Sequence, residues 1–213
     1  MRELRAGMKN SPGGSESTSH QTQSIRMKSE KEMPTMFMSL IRKRRSIRKF
    51  QTTAVEKEKV DMIVEAALRS PSSKGSTPWH FVVVSDRGML ERLSRAKQHG
   101  SAFLKDAALA IVVCADPTKS DVWVEDASIA TIMIQLAAES LGLGSCWIQI
   151  RERMHDQTQT AQSYMAELLQ VPPAVMVEAM VAIGYPAETK PPRPATELPT
   201  SQVHGGAFGT SFR

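Results

Sequence analysis

Hydrophobic and polar residues follow two patterns along the chain, one with the period of a helix and one in short unbroken apolar runs. The helical period is clearest at positions spaced i, i+3, i+4, i+7 and i+8, which are Val60, Ile63, Val64, Ala67 and Leu68. This spacing predicts an amphipathic helix that buries one face. Thr53 and Glu56 have the spacing of a capping box, so this helix is predicted to have Thr53 as its N-cap.

Short apolar runs predict four buried strands, and the segments between them predict three further helices. The predicted strands cover residues 80–84, 107–115, 145–150 and 175–183. The predicted helices cover residues 87–96, 122–141 and 156–169. The segment 122–141 is apolar around most of its circumference, so we expect a core helix that needs a partner, and Gly142 supplies its C-terminal stop.

The order of these elements favours a sandwich of helices around one sheet, since the connections are too varied for a regular doubly wound fold. No glycine-rich dinucleotide motif follows a predicted strand, so the sequence does not predict a Rossmann nucleotide site. Residues 1–35 are rich in Ser, Gly, Gln, Lys and Glu and are predicted to be a disordered leader. Residues 36–213 are predicted to form one folded domain.

The net charge of the 213 residues is +5, from 27 Lys and Arg against 22 Asp and Glu. Residues 42–49 carry six of the positive charges, and the rest of the chain has 21 basic and 22 acidic residues. The positive excess is therefore local. A cluster of this kind has three interpretations: a solvated face, a nucleic-acid-binding patch, or a pocket for a phosphate group.

Several classes of site have no signature in the sequence. Cys114 and Cys146 form no metal-binding pattern, and no His-Glu-x-x-His motif occurs, so no metal site is predicted. No serine lies in a G-x-S-x-G turn. The longest apolar run, residues 107–115, is too short to cross a bilayer. These observations predict a cytoplasmic protein without membrane attachment.

Four segments carry a family pattern in their order and spacing. They are residues 44–50 (RRSIRKF), 71–79 (PSSKGSTPW), 142–148 (GLGSCWI) and 183–186 (IGYP), the last followed by Lys190 and Arg193. Together they span nearly all of residues 36–204, and they resemble the nitroreductase family of flavin mononucleotide (FMN) enzymes. The resemblance implies an α+β fold with a central, mostly antiparallel sheet flanked by helices. It also implies an intertwined homodimer that binds FMN at the dimer interface.

In the first segment, the resemblance implies that Arg44, Arg45 and Ser46 contact the flavin and that Arg48 lies near the pyrimidine edge of its ring. Arginine binds phosphate with two parallel hydrogen bonds, which suits a cofactor that carries a phosphate. A cation near the pyrimidine edge favours the reduced flavin, so Arg48 is expected to tune the redox potential.

The resemblance assigns the other flavin contacts to three later segments. They are Pro71, Ser72 and Ser73 at the ring and ribityl chain, Trp147, Ile148 and Gln149 at the dimethylbenzene edge and N5, and Lys190 and Arg193 at the phosphate. Each set has a structural alternative: an ordinary turn, a packed core tryptophan, and a solvated basic turn. Gly75 and Thr77 depart from the family pattern, where many members have Asn and Gln.

The resemblance also implies a mechanism in which flavin N5 is the reactive centre and no side chain is catalytic. NADH or NADPH would deliver a hydride to N5, and a nitroaromatic, a quinone or another electron-poor acceptor would then take the electrons in a ping-pong cycle. Reductive dehalogenation or flavin modification on the same fold is an alternative. A different class of function, nucleic-acid binding through residues 42–49, is disfavoured because no further basic face and few aromatic residues support it.

Overall fold

The computed structural model describes residues 36–212, so the predicted leader, residues 1–35, lies outside the described residues. The chain divides into two units between Ser39 and Leu40. A helix, α1, covers residues 36–43. The second unit contains all the other elements, and every contact described below lies within it.

Four helices and four strands follow α1 in the order that the apolar pattern predicts. They are α2 (Lys57–Leu68), β1 (Trp79–Val84), α3 (Arg87–Ser94), β2 (Leu109–Ala115), α4 (Trp123–Ser140), β3 (Gly144–Gln149), α5 (Ala161–Leu169) and β4 (Met176–Gly184). Short 3-10 turns lie at Ser73–Gly75, Ala102–Asp106, Ala195–Glu197 and Thr200–Gln202. The predicted α+β class is confirmed.

The four strands form one sheet in the order β1-β2-β4-β3, and all three pairings are antiparallel. β2 and β4 are therefore central, and β3 lies at one edge. The register between β2 and β4 shifts at Val113/Cys114, because Val113 pairs with Ala179 whereas Cys114 pairs with Val177. Glu178 is the extra residue at this point, so β4 carries a β-bulge there.

Both faces of the sheet are covered, which explains why β2 is apolar at every position. Ala110, Val112 and Cys114 belong to one core cluster, which includes residues of α3 and α5. Leu109, Ile111 and Val113 belong to a second cluster, which includes residues of α2 and α4. Alternate residues of a strand point to opposite faces, so β2 supplies both cores.

The start of α2 differs from the prediction. The helix begins at Lys57 with Glu56 as the N-cap residue, and no side chain caps it. Glu56 instead accepts hydrogen bonds from the Tyr185 hydroxyl at 2.7 and 2.8 Å and lies 3.4 Å from the Lys59 ammonium. The capping-box prediction is therefore wrong, because a tertiary contact to Tyr185 takes the carboxylate that the local pattern assigned to the backbone.

The helix predicted over 156–169 also begins later, at Ala161. Asp156 Oδ1 accepts the backbone N–H groups of Thr158 and Gln159 at 2.7 and 2.8 Å, which closes a separate turn. Aspartate competes with helix formation in this way because its short side chain satisfies nearby backbone donors. Thr160 then caps α5 by accepting the N–H of Ser163 at 3.0 Å.

α4 ends as the sequence predicts but is less enclosed. Gly142 adopts φ +75°, and the Gly142 and Leu143 N–H groups donate to Glu139 and Ala138 at 3.1 and 2.9 Å, which is a Schellman motif. Along one side of the helix an apolar stripe lacks a complete cover in the single chain. It consists of Ile129 and Ile132, which are 37% and 40% exposed, and the half-buried Met133 and Leu136.

Candidate functional site

The basic segment 44–50 is fixed against the open edge of the sheet. Ser46 forms a parallel bridge with Ser145 of β3, and the Ile47 N–H donates to the Ser145 carbonyl at 2.9 Å. The chains approach so closely that a Cβ on Gly144 would lie 2.8 Å from the Ile47 Cβ. A second bridge joins Phe50 to Pro186, beyond the end of β4. The cluster is therefore an ordered part of the sheet edge.

Glu188 joins this basic segment to the late basic residues. Its Oε1 accepts the backbone N–H groups of Arg48 and Lys49 at 2.6 and 3.2 Å and lies 3.2 Å from the Lys190 ammonium. Lys190 Nζ also donates to the Ser46 carbonyl at 2.6 Å. The Arg48 N–H and the Lys190 ammonium hold the pKa of the Glu188 carboxyl below its ordinary value. The structure thus brings Lys190 to Ser46, 144 residues away in sequence.

A pocket of about 160 Å³ opens beside these contacts. The charged residues that line it are Lys43, Arg45, Glu139, Glu188 and Lys190. Arg45 donates to the Pro191 carbonyl, and the Lys43 ammonium lies 3.7 Å from Glu139. The Arg48 guanidinium lies 5.7 Å from the centroid of the Phe103 ring, and Arg193 lies on the exposed stretch after Pro191. The pocket offers the cations of Lys43, Arg45 and Lys190, which suits a small anion.

The two cysteines are buried and free. Burial raises the pKa of the Cys114 thiol to about 12. Burial also raises the pKa of the Cys146 thiol, although the nearby Arg48 and Lys190 charges and a hydrogen bond with Ser46 act in the opposite direction. Both side chains therefore remain protonated thiols within the core, and neither is a candidate nucleophile.

The backbone N–H and C=O groups of the odd-numbered residues of β3 point to the open edge of the sheet. The Ser145 carbonyl accepts from Ile47, whereas the Ile150 N–H donates to Glu178 of β4 at 3.1 Å. Because backbone groups alternate in direction along an antiparallel strand, the N–H groups of Trp147 and Gln149 point to the open edge. The Ile148 side chain is 1% exposed and lies in the core, and the backbone N–H and C=O groups of Ile148 face β4, where Ile148 pairs with Met180.

The loop of residues 71–77 is fixed from a different direction. Asp126, at the first turn of α4, accepts the Ser73 N–H at 2.8 Å and the Ser120 hydroxyl at 2.7 Å. Within the loop, Ser72 Oγ accepts the Thr77 N–H at 2.9 Å. Gly75 adopts φ +66°, a conformation that glycine and asparagine tolerate best. Glycine, in place of the asparagine that the family pattern has at this position, therefore keeps the backbone conformation of the loop and removes an amide side chain.

One chain does not bring all the sequence-predicted site residues together. The loop that contains Pro71, Ser72 and Ser73 is held by Asp126 near the start of α4, whereas Lys43 contacts Glu139 near its end. The helix rises 1.5 Å per residue, so Asp126 and Glu139 are separated by about 20 Å along its axis. The two groups of residues therefore lie at opposite ends of α4.

Three acidic residues of these sites lay outside the sequence-based prediction: Glu188, Asp126 and Glu178. Only Glu188 had a local signal, since it is an acid between the Tyr185-Pro186 motif and Lys190. Among residues 36–212 no group of three or more His, Cys, Asp or Glu is arranged to hold a metal ion. Within the same part of the chain no helix has the length and apolar character needed to span a membrane.

Comparison with known proteins identifies the family. The model of the nitroreductase family matches residues 41–100 and 89–185. A protein of Archaeoglobus fulgidus named for NADH dehydrogenase and NAD(P)H nitroreductase activity is 40% identical over 157 residues, which are 72% of this chain and 87% of that protein.

Two further matches agree with this result. An FMN reductase [NAD(P)H] of Bacillus subtilis is 27% identical over 182 residues, 75% of this chain and 69% of its own length. The solved structure of an FMN-dependent nitroreductase from Clostridium difficile R20291 superposes with a TM-score of 0.79 and 49% identity, covering 80% of this chain and 99% of that one. The fold predicted from the four segments is confirmed, and the chain belongs to the nitroreductase family.

Proposed function

We propose that the protein is an FMN-dependent oxidoreductase that transfers electrons from NADH or NADPH to small electron-poor acceptors such as nitroaromatics and quinones. The observation that carries this proposal is the cationic turn of residues 44–49, which Glu188 and Lys190 hold at the open edge of β3. This turn provides fixed cations beside the open edge of β3, to which the N–H groups of Trp147 and Gln149 point. The names of the relatives support the same cofactor and electron donor.

The residues present fit a flavin phosphate and ring edge. In the proposed arrangement, Arg44, Lys190 and Arg193 provide positive charge for the phosphate, and Arg45 and Ser46 complete this part of the site. The pocket of about 160 Å³ is smaller than the roughly 300 Å³ at which whole-ligand pockets begin, so one chain accommodates only part of the cofactor.

The ring would lie along β3. Trp147 and Gln149 then offer their backbone N–H groups to N5, and the Ile148 backbone lies between them. Arg48 remains the proposed cation beside the pyrimidine edge, where it stabilises charge that develops on reduction. Because Glu188 binds the Arg48 N–H at 2.6 Å, the position of this residue is fixed before a ligand arrives.

The rest of the site would come from a second copy of the chain. Pro71, Ser72 and Ser73 lie about 20 Å from the cationic turn along α4, which is too far for both to hold one ring in the same chain. The apolar stripe on α4, Ile129 to Leu136, provides a surface for a homodimer. We therefore assign the cationic turn of one protomer and the 71–73 loop of its partner to the same FMN.

Bound FMN supplies a centre that accepts two electrons from NADH or NADPH and donates them to an acceptor in a separate half-reaction, which is the basis of the proposed ping-pong cycle. The chain's own residues bind, orient and tune this centre. We propose that protons for the acceptor come from solvent in the cytoplasm, where we expect the protein to act.

The test is the visible spectrum of the purified protein, followed by its bleaching with NADH or NADPH without oxygen. We expect one FMN per chain and full bleaching. Arg48→Ala should weaken FMN binding and lower the flavin potential, whereas Arg69→Ala, which removes an exposed arginine paired with Glu65, should change neither. A protein that stays colourless with added FMN would overturn the proposal.

A panel of acceptors then separates the related activities. Reoxidation by a nitroaromatic or a quinone, with parallel lines in initial-rate plots, supports the proposed reaction. Turnover of a halogenated phenol in preference to these would favour the dehalogenase alternative. Sedimentation tests the homodimer, since Ile132→Glu should yield monomers that also lose FMN. Retention of FMN by such monomers would refute the shared site.

A further inference from the structure

Glu178 is a buried carboxylate that the proposed electron transfer does not use. It is 3% exposed and lies in the central strand β4, where its neighbours in the strand are apolar. It is also the extra residue of the β-bulge opposite Val113/Cys114. Bulges redirect a side chain out of the regular alternation and are common next to active sites. The bulge therefore gives this one residue a direction that a regular strand would not.

The redirected side chain contacts two residues at the end of β3. Gln149 Nε2 donates to Glu178 Oε1 at 3.0 Å, and Arg151 Nε lies 3.2 Å from Oε2. The Glu178 backbone carbonyl accepts the N–H groups of Ile150 and Arg151 at 3.1 and 3.0 Å. Within the described residues, Oε2 and Arg151 Nε have no hydrogen bond of good angle, so the ion pair is close but poorly aligned.

These contacts decide the orientation of the Gln149 amide. The Trp147 indole N–H only donates, so the amide oxygen of Gln149 must face Trp147 and the amide nitrogen must face Glu178. The same nitrogen also lies 3.3 and 3.4 Å from the backbone carbonyls of Arg151 and Glu178. The amide oxygen accepts the Trp147 indole N–H at 2.9 Å. A continuous chain of hydrogen bonds thus runs from the buried carboxylate through Gln149 to the half-buried Trp147 ring.

A buried charge of this kind does not stabilise a fold efficiently. Desolvation of the ions often exceeds the gain from pairing, and apolar side chains of similar volume frequently serve stability as well or better. Buried, hydrogen-bonded polar groups do fix a unique arrangement of their neighbours. Here the neighbour that is fixed is Trp147, on the strand edge assigned to the flavin.

We propose that Glu178 is a positioning residue, which acts through Gln149 to hold the Trp147 indole as a wall of the acceptor-binding space. The inference rests on the proposed function. An indole with a fixed plane favours flat aromatic acceptors by stacking, and a mobile one binds them less well. Glu178 itself touches neither cofactor nor acceptor, so its removal should alter acceptor binding and leave FMN binding unchanged.

The test uses Glu178→Met, which replaces the carboxylate with an apolar side chain of similar length. Arg151 remains 34% exposed and can pair with Glu152, so the variant is expected to fold. The KM for an aromatic acceptor should rise about five- to tenfold, as expected when a contact held by one hydrogen bond is lost. The rate of flavin reduction by NADH or NADPH and the FMN content should stay at the wild-type level.

The double variant decides whether Glu178 acts through Trp147. Trp147→Phe should raise the same KM, and Trp147→Phe/Glu178→Met should be no worse than the more impaired single variant. If the KM of the double variant rises by the product of the two single increases, the inference is overturned. Glu178→Gln retains an acceptor for the Gln149 amide and should recover most of the loss, and a loss equal to that of Glu178→Met would also overturn it. Glu167→Ala, which removes an exposed glutamate bonded to the Gln159 amide, is the matched control.

One measurement separates this inference from the proposed function. In apoprotein, Glu178→Met should increase acrylamide quenching of the emission that Trp147→Phe removes, whether or not the protein binds flavin. If the wild-type protein binds no flavin and does not oxidise NADH or NADPH, the proposed function is refuted. The quenching experiment would still test the contact between Glu178 and Gln149 in that protein. An active wild type with unchanged quenching in Glu178→Met would refute the positioning role alone.

Discussion

Gly144→Ala tests how closely the cationic turn is packed on β3. An added Cβ would lie 2.8 Å from the Ile47 Cβ and 2.9 Å from each of its γ carbons. Ile47 is 8% exposed and belongs to the core cluster with α3 and α5. Rotation about χ1 moves the γ carbons but leaves the Cβ in place. The backbone of residues 46–48 must therefore shift away from the strand.

The overlap is several tenths of an ångström with three atoms of one side chain. Overpacking of this kind costs about 1–3 kcal/mol. For a chain of this size, each kcal/mol lowers Tm by about 2–4 °C, so the expected decrease is between 2 and 12 °C. Urea unfolding measures the free energy, and FMN titration of the apoprotein measures the effect on the proposed site. Affinity should fall because the shift moves Ser46 and Arg48 from their positions beside β3.

Substitutions at Ile47 provide the refutation. In an Ile47→Ala background the Cβ contact at 2.8 Å remains, so Gly144→Ala should still destabilise, although less. In an Ile47→Gly background its cost should fall to within about 0.5 kcal/mol of zero. Gly142→Ala is the control, because it meets no atom within 4 Å and is strained only by φ +75°. If Gly144→Ala lowers the free energy of unfolding by the same amount in the wild-type, Ile47→Ala and Ile47→Gly backgrounds, the packing argument is refuted.

Three further predictions follow from single contacts. Asp126→Ala should lower the free energy of unfolding by about 1–3 kcal/mol and should weaken FMN binding. Asp126→Asn keeps one acceptor and should lose less of both. Equal losses of stability in the two variants would contradict this account. Cys114 and Cys146 should resist a thiol reagent at about pH 8 and react once urea exposes them, since burial raises the pKa of both thiols. Tyr185→Phe should return the lowered pKa of Glu56 towards its ordinary value, measured by NMR titration, and should remove the stabilisation that the wild type loses as the pH falls through that pKa.

Much of the fold could be predicted because its signals are local. The run at β2 is apolar at every position, and Gly142 ends α4 in the conformation that only glycine adopts easily. The strand bounds agree with the structure to within two residues. The start of α2 could not be predicted in the same way, because Glu56 is held by Tyr185, which lies 129 positions away.

The site was predictable only where its residues form a pattern along the chain. The basic run at 42–49 is visible from composition, and the structure places it beside Lys190 as the family pattern implies. The roles of Glu188 and Glu178 depend on contacts between β3, β4 and the basic turn, which no local spacing encodes. Glu178 is buried because β4 is covered on both faces, but its contact with Gln149 depends on the register shift, which no local spacing shows.

The length of α4 links the two central proposals. In the proposed arrangement, the 18 residues of α4 separate the loop held by Asp126 from the cationic turn near Glu139, so a single chain would present two half-sites and not a whole one. The same helix carries the apolar stripe that favours self-association. A ligand that binds only the assembled pair stabilises that pair by mass action, and assembly in turn strengthens binding. In that arrangement, a change that weakens FMN binding also weakens the dimer, and a change that weakens the dimer also weakens FMN binding. Neither half-site then needs to be a complete pocket alone.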